Sequence, residues 1–420
     1  MKYKPNPLLY GVAEDFYSSF KLAITMRSPV DHTALVRAVR AAMNRYPYFC
    51  VSPEREREGI VLTYNPRPVQ VFDDERCAVL GSEECNGHLL CFGCRGNQIF
   101  LHASHYIADG MGINPLLKTV LYLYVAEKYG TDGLQTERIH LPEEAVADEE
   151  YAYPFPDEPF EIDDTFPLCK VIDRVYGLDP AAFDREGLYA YHLHIPQRAM
   201  MSKANSSDGS PVSFLTVMMY QAICALDAEL DLPVVAHVQH QYRQALQAPI
   251  NRHSLVSYIP VFLPPRARNW HIERQNTVLR GQIILGSEVS EDRRAVNRII
   301  NALPREKDAT LAQKKSAMHR YVEKSIEGKT LGISYVGKMD WCGLDRYVQD
   351  IHAYIGEKET SNMLLMEVMT VGEDFTINLM QSGRGRKYVD AFMEQLALMD
   401  IPVSLIGEER YTLCDTVLPL

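Results

Sequence analysis

The chain reads as an α/β protein of two lobes, each with several strands and a few long helices. Three observations predict this. Strand-like and helix-like patterns alternate through both halves instead of segregating. An acidic, proline-containing stretch, residues 141–167, lies between the halves. The length of 420 residues and the 46% hydrophobic content suit two lobes of ordinary domain size. The first lobe is therefore expected over residues 1–167, with 141–167 as a crossing segment, and the second over 168–420.

In the first lobe, residues 20–26 are mostly apolar and read as a strand. A helix is expected over 32–44, with Leu35, Val36, Val39 and Ala42 on one side and Asp31 or Ser28 as its cap. Pro47 then stops it. Residues 89–94 and 98–103 flank Arg95-Gly96-Asn97, a strong hairpin signal. A helical pattern begins at Asn114 and is clearest over 116–127. Glu143, Glu144, Asp148, Glu149 and Glu150, with further acids to Asp164, read as a solvated crossing rather than a binding site. The second lobe opens with a strand over 189–195, where Tyr189, Tyr191, Leu193 and Ile195 alternate. Helices are expected at about 197–204 and 211–228, and strands at about 233–241 and 254–263. Helical patterns run from about 271 to 326, interrupted near Pro304. Strands return at about 331–336, 348–355, 361–370 and 374–381, and the last helix covers 389–399.

Composition excludes several function classes. The formal net charge is -12. An acidic chain without a basic run is a poor nucleic-acid binder. Residues 1–10 lack the apolar core of a secretory signal. No stretch approaches the roughly 20 apolar residues of a membrane span, so a soluble, cytoplasmic monomer is expected. Nine cysteines are scattered along the chain. Cys91-Phe92-Gly93-Cys94 is the only C-x-x-C, and no second pair stands at zinc spacing. His192 and His194 share a strand face, whereas His237 and His240 face opposite ways. Neither pair has a third ligand at suitable spacing, so no metal is expected. A G-x-S-x-G elbow and a Gly-rich phosphate loop are both absent.

The chemistry concentrates in Ser104-His105-Tyr106-Ile107-Ala108-Asp109-Gly110, at the end of the hairpin's second strand. A histidine at a strand-to-turn boundary can stand in a cleft with its ring free. Imidazole is well matched to base catalysis near neutral pH. The Asp-Gly pair suggests a tight turn, because Gly accepts positive φ at little cost.

This run resembles the HxxxDG signature of the coenzyme A-dependent acyltransferase superfamily, which includes chloramphenicol acetyltransferase, alcohol acyltransferases and condensation domains. Other segments fall in the family's order. Arg45-Tyr46-Pro47 stands where condensation-type proteins have "R-H-P-x-L". Gly332-Ile333-Ser334-Tyr335-Val336-Gly337 resembles an "S-N-x-G" segment with Tyr335 in place of the asparagine. Many members have a histidine where Ser104 stands. The "F-V-N-T" asparagine, the "DFGWG" loop and any carrier or adenylation segment are missing. The resemblance is thus nearest to stand-alone alcohol O-acyltransferases.

The resemblance implies two chloramphenicol acetyltransferase-like lobes, each a mixed sheet with flanking helices, and an active-site channel between them. It implies acyl transfer, acetyl above all, from an acyl-coenzyme A co-substrate to an alcohol, without a metal. In that scheme His105 is the general base, Asp109 a structural carboxylate and Gly110 the turn residue. Arg243 is the partner of Asp109, with Arg266 as rival. Ser334 donates to the oxyanion, and Ser104 and Tyr106 flank the substrate channel. An amine acceptor, an acyl carrier protein as donor, and a binding protein that kept the fold are the alternatives.

Overall fold

In a computed structural model, residues 1–13, 16–57, 59–162, 172, 174–184, 187–304, 309–357 and 363–418 are described. The first half supplies β1 (Lys2–Tyr3), β2 (Ser19–Met26), α1 (His32–Met43), β3 (Val51–Glu56), β4 (Gly59–Tyr64), β5 (Val71–Phe72), β6 (Leu90–Arg95), β7 (Gln98–Ser104) and α2 (Gly110–Tyr129). The second supplies β8 (Leu188–Pro196), α3 (Gln197–Ser206), α4 (Pro211–Leu226), β9 (Val234–Gln241), β10 (Val256–Leu263), α5 (Ile272–Gly286), α6 (Val289–Ala302) and α7 (Leu311–Ile326). It continues with β11 (Leu331–Tyr335), β12 (Val348–Tyr354), β13 (Leu364–Val371), β14 (Asp374–Ser382), α8 (Lys387–Leu398) and β15 (Ser404–Tyr411).

Among the described residues the strands form three sheets, in the orders β1-β4-β3, β12-β2-β7-β6-β5 and β10-β9-β11-β13-β14-β8-β15. The last two are mixed: β5 runs parallel to β6, and β11 runs parallel to both β9 and β13. Helices α1 and α2 cover one face of the five-stranded sheet, and α4 and α8 pack on the seven-stranded sheet. A smaller apolar cluster, with Phe100, Leu188, Tyr354 and Met380, joins the two sheets.

Local chemistry explains the boundaries. Asp31 caps α1 by accepting from the Ala34 N–H at 3.0 Å. Ser210 caps α4 by accepting from Ser213 N–H at 3.2 Å, with Pro211 at the first helical position. Gly96 takes φ +60° in the β6–β7 turn. The β3–β4 hairpin and β15 have no counterpart in the expected strands. β15 is a polar edge strand whose residues are exposed or half-buried until its last, Tyr411, so its hydrophobic signal is weak.

Two placements could not be read from local pattern. β12 leaves the second half of the chain and pairs antiparallel with β2 at the edge of the first sheet. Glu150 lies in the acidic crossing, where a solvated run was expected, yet it is 3% exposed. Its carboxylate accepts from Arg45 Nη2 at 2.6 Å and from the Tyr48 hydroxyl at 2.6 Å. A bidentate guanidinium explains how one acid of the run is buried. The end of the crossing, residues 163–167, and the expected boundary at 167–168 lie outside the described residues. No single described helix is long and apolar enough to cross a membrane.

Candidate active site

β7 is apolar through Ile99, Phe100 and Leu101, and it is hydrogen-bonded on both sides, to β2 and β6. The strand ends at Ser104, and the His105 N–H donates to Ser18 O at 2.7 Å. The His105 ring meets Phe20 edge-on, with centroids 5.3 Å apart. Its Nδ1 lies 3.2 Å from Ser254 Oγ. Burial pushes the imidazole pKa below its ordinary value, against the opposing pull of the Asp109 carboxylate.

Asp109 is 1% exposed and is the N-cap of α2. Its Oδ1 accepts from Gly112 N–H at 2.7 Å, and its Oδ2 from Leu255 N–H at 2.9 Å. Arg243, 3% exposed, donates from Nη2 to Asp109 Oδ1 at 2.8 Å. The same guanidinium donates to the carbonyls of Asn251 and His253, each at 3.0 Å. Arg243 and Leu255 belong to the connection between β9 and β10, so one carboxylate joins the start of α2 to the second half of the chain. Arg266 is exposed and makes no such contact.

The glycine expected in the turn has a different role. Gly110 is the first residue of α2 and has no positive φ. Gly112 is the constrained one: a Cβ there would lie 2.2 Å from Arg252 O. The 248–255 connection can reach Asp109 only because this side chain is missing. Gly112→Ala should therefore lower stability by about 1–3 kcal/mol. A thermal melt checks this; an unchanged melting temperature would show that the connection yields freely.

His105 lines a cavity of about 220 Å³. Both halves build it: Phe20, Asp109, Gly110 and Asn114 from the first, and Gln239, His240, Ser334, Tyr335 and Glu367 from the second. β12 contributes Ile351 and Ala353. Ser334 thus shares a cavity with His105. Ser104 and Tyr106, expected along the channel, do not line it. Ser104 points to the other side of β7 and is fully buried, and Tyr106 is buried as well. Ser104 pairs with Ser19, and alternation along β2 puts Ser19 on the face opposite Phe20, which lines the cavity.

Glu367, like Ser254 beside the His105 ring, is a site residue that sequence reasoning missed. It is the register partner of Ser334 across β11 and β13, and it is buried on the cavity wall. Burial raises its carboxyl pKa to about 7, opposed by a hydrogen bond from Ser334. The only sequence signal was a single acid in the apolar run from Leu364 to Val371. A carboxyl that holds its proton more tightly when folded makes stability fall as pH rises from about 4.5 to about 7. The loss above that window is at most roughly 3 kcal/mol. Glu367→Gln should therefore melt higher than the parent at pH 8, with the gap closing near pH 4.5. A gap independent of pH would refute the assignment.

The other histidines considered from the sequence have protein partners. His194 Nε2 lies 2.8 Å from Asp350 and His192 Nε2 lies 3.2 Å from Glu409. His237 stacks on Tyr258, with centroids 3.9 Å apart, and burial holds its pKa down to about 3. His240 lies 3.1 Å from Asp292. A second, open cavity of about 560 Å³ carries Arg298, Arg320 and Lys324 together with Ser257 and Tyr258 of β10. It is a locally basic groove on an acidic chain.

No family model and no curated protein matches the chain. Solved structures do match it, over nearly its whole length. The chain is similar to F. sporotrichioides TRI101, solved with coenzyme A and T-2, at 10% identity and a TM-score of 0.60, over 97% of this chain and 100% of that one. It is similar to polyketide synthase associated protein 5 from Mycobacterium tuberculosis at 15% identity and a TM-score of 0.57, over 90% and 94% of the two chains. The starter condensation domain of rhizomide synthetase RzmA matches at 10% identity and a TM-score of 0.57, over 95% and 93%. At such identities a likeness carries the fold alone. The chain has the two-lobed, chloramphenicol acetyltransferase-like α/β fold of these solved structures.

Proposed function

We propose that the protein transfers an acyl group, acetyl above all, from a coenzyme A thioester to an alcohol, with His105 as general base. The observation that carries this reading is the place of His105. Its ring stands on the wall of a cavity built by both halves of the chain, and burial favours its neutral form. The tautomer that donates from Nδ1 to Ser254 leaves the Nε2 lone pair for the acceptor's proton. As Nε2 takes that proton, the acceptor oxygen attacks the thioester carbonyl and a tetrahedral oxyanion forms. Ser334 is the donor to that oxygen: a Glu367 carboxylate accepts from the Ser334 O–H, and protonation of that carboxyl, which its burial favours, releases the O–H for this task. Collapse expels the thiolate, which recovers the proton from His105.

Shape and charge support the choice of substrates. A cavity of about 220 Å³ suits a small acyl group better than a long chain. The groove of Arg298, Arg320 and Lys324 offers cations for the phosphates of the donor. The test is thiol release from acetyl-coenzyme A with a panel of alcohols and amines. Release with an alcohol supports the reading. Release with amines alone, or from a carrier-bound thioester alone, would move the activity to condensation-type transfer. No release from any thioester would make the protein a binder that kept the fold.

A further inference from the structure

A second group of reactive side chains lies away from the cavity, where the C-terminal segment crosses the first sheet. His102 on β7 and Cys91 on β6 are cross-strand partners, so their side chains leave the same face. Cys77 comes from the connection after β5, and Cys414 from the segment after β15. The ligand atoms of Cys77, His102 and Cys414 all lie within 4.8 Å of one another. The Cys414 thiol is in hydrogen-bonding contact with both Cys77 and Cys91. Cys85 lies behind them, in contact with Cys91.

Four thiols in one place could be packed as small hydrophobes. His102 argues otherwise. It is 2% exposed, and neither ring nitrogen has a well-formed hydrogen bond, although the Cys414 sulfur stands beside the ring. A buried imidazole whose one polar neighbour is a thiol sulfur, with no oxygen or nitrogen partner on either ring nitrogen, is unusual in a native protein unless something binds it. The geometry points to a structural zinc ion held by Cys77, Cys91, His102 and Cys414. Three thiolates and an imidazole form a Cys₃His set, and soft sulfur ligands select zinc over the oxygen-seeking cations. Tetrahedral zinc wants sulfurs about 3.8 Å apart, so the ligand atoms of Cys77, His102 and Cys414 need only a small contraction, and a turn of the Cys91 side chain, already in contact with Cys414, completes the set. Such a site carries a net charge of about -1. The buried ammonium of Lys21, the cross-strand neighbour of His102 on β2, acts on Cys77 from nearby and offsets it.

This departs from the expectation of a metal-free protein. Only the first cysteine of the C-x-x-C, Cys91, belongs to the site. Cys94 is three residues beyond Cys91 on a strand, so it faces the opposite way, into the core beneath α1. The fourth ligand stands near the other end of the chain, where no spacing motif could reveal it. The ion would fasten the C-terminal segment, already tied through Leu80 N–H to Asp415 O at 2.8 Å, to the strand that delivers His105 three residues later.

The test is metal analysis of the full chain purified without chelators from zinc-containing medium. About one zinc per chain is expected, released by a mercurial that titrates thiols. Cys414→Ser and His102→Ala should each reduce bound zinc at least about fivefold, whereas Cys94→Ser should retain it. Because a variant could fail to fold, cobalt substitution of the parent chain supplies a second readout. Thiolate-to-cobalt charge-transfer absorption with tetrahedral d–d bands supports the site. Overturning results are a folded parent chain with neither zinc nor a cobalt spectrum, a Cys77–Cys414 disulfide found by mass spectrometry, or zinc retained in both ligand variants.

Discussion

His105→Ala is expected to lower acyl transfer at least about a hundredfold, the lower end of what general-base catalysis supplies. The melting temperature should stay near that of the parent, because the ring lines a cavity and its side-chain bond is a single contact with Ser254. The pH profile gives an independent check. Burial depresses the His105 pKa, so the neutral, base-competent form persists below the ordinary histidine range. The rate should therefore hold as pH falls through about 6.5 and decline only at lower pH. Histidine deprotonates as pH rises, so the acid limb alone belongs to His105. Near-normal turnover in folded His105→Ala, or an acid limb unchanged by the substitution, would remove it from the reaction.

Asp109→Ala should give the largest loss of stability, about 3–5 kcal/mol, together with loss of activity. Three donors converge on this carboxylate: Gly112 N–H, Leu255 N–H and the Arg243 guanidinium. Its removal uncaps α2, which itself costs about 1 kcal/mol, and strands a buried cation. Arg243 Nη1 is already buried without a hydrogen-bond partner, so little else can compensate. Arg243→Ala should cost less, because Asp109 keeps its two backbone donors. Melting curves on both variants test this order. Equal melting temperatures for the parent and Asp109→Ala would mean that the ion pair does not hold the 248–255 connection in solution.

The contrast between these two residues shows what a sequence can carry. His105 and Asp109 stand four apart in one motif, at the junction of a clear strand and a clear helix, and each element is specified by neighbours along the chain. The structure puts Asp109 and Arg243 within 2.8 Å across the two halves, a pairing the family resemblance had suggested. Glu367 and the Cys77, Cys91, His102 and Cys414 group had no comparable signal. A lone acid in an apolar strand reads as an exposed position, and scattered thiols read as filler.

By itself the sequence determined the elements whose apolar period is strong. α4 and β9 start and end close to where the pattern says, and α1 begins directly after its cap, Asp31. It also determined the place of His105 at a strand end, because strand and turn chemistry are local. Only the tertiary structure decided the rest. It moved β12 into the first sheet, buried Glu150 against Arg45, made Gly112 rather than Gly110 the glycine that space requires, and turned Ser104 away from the cavity. Each of these depends on what another segment brings to the same point. Burial, ion pairing and close approach are properties of pairs distant in the chain, and no local period encodes them.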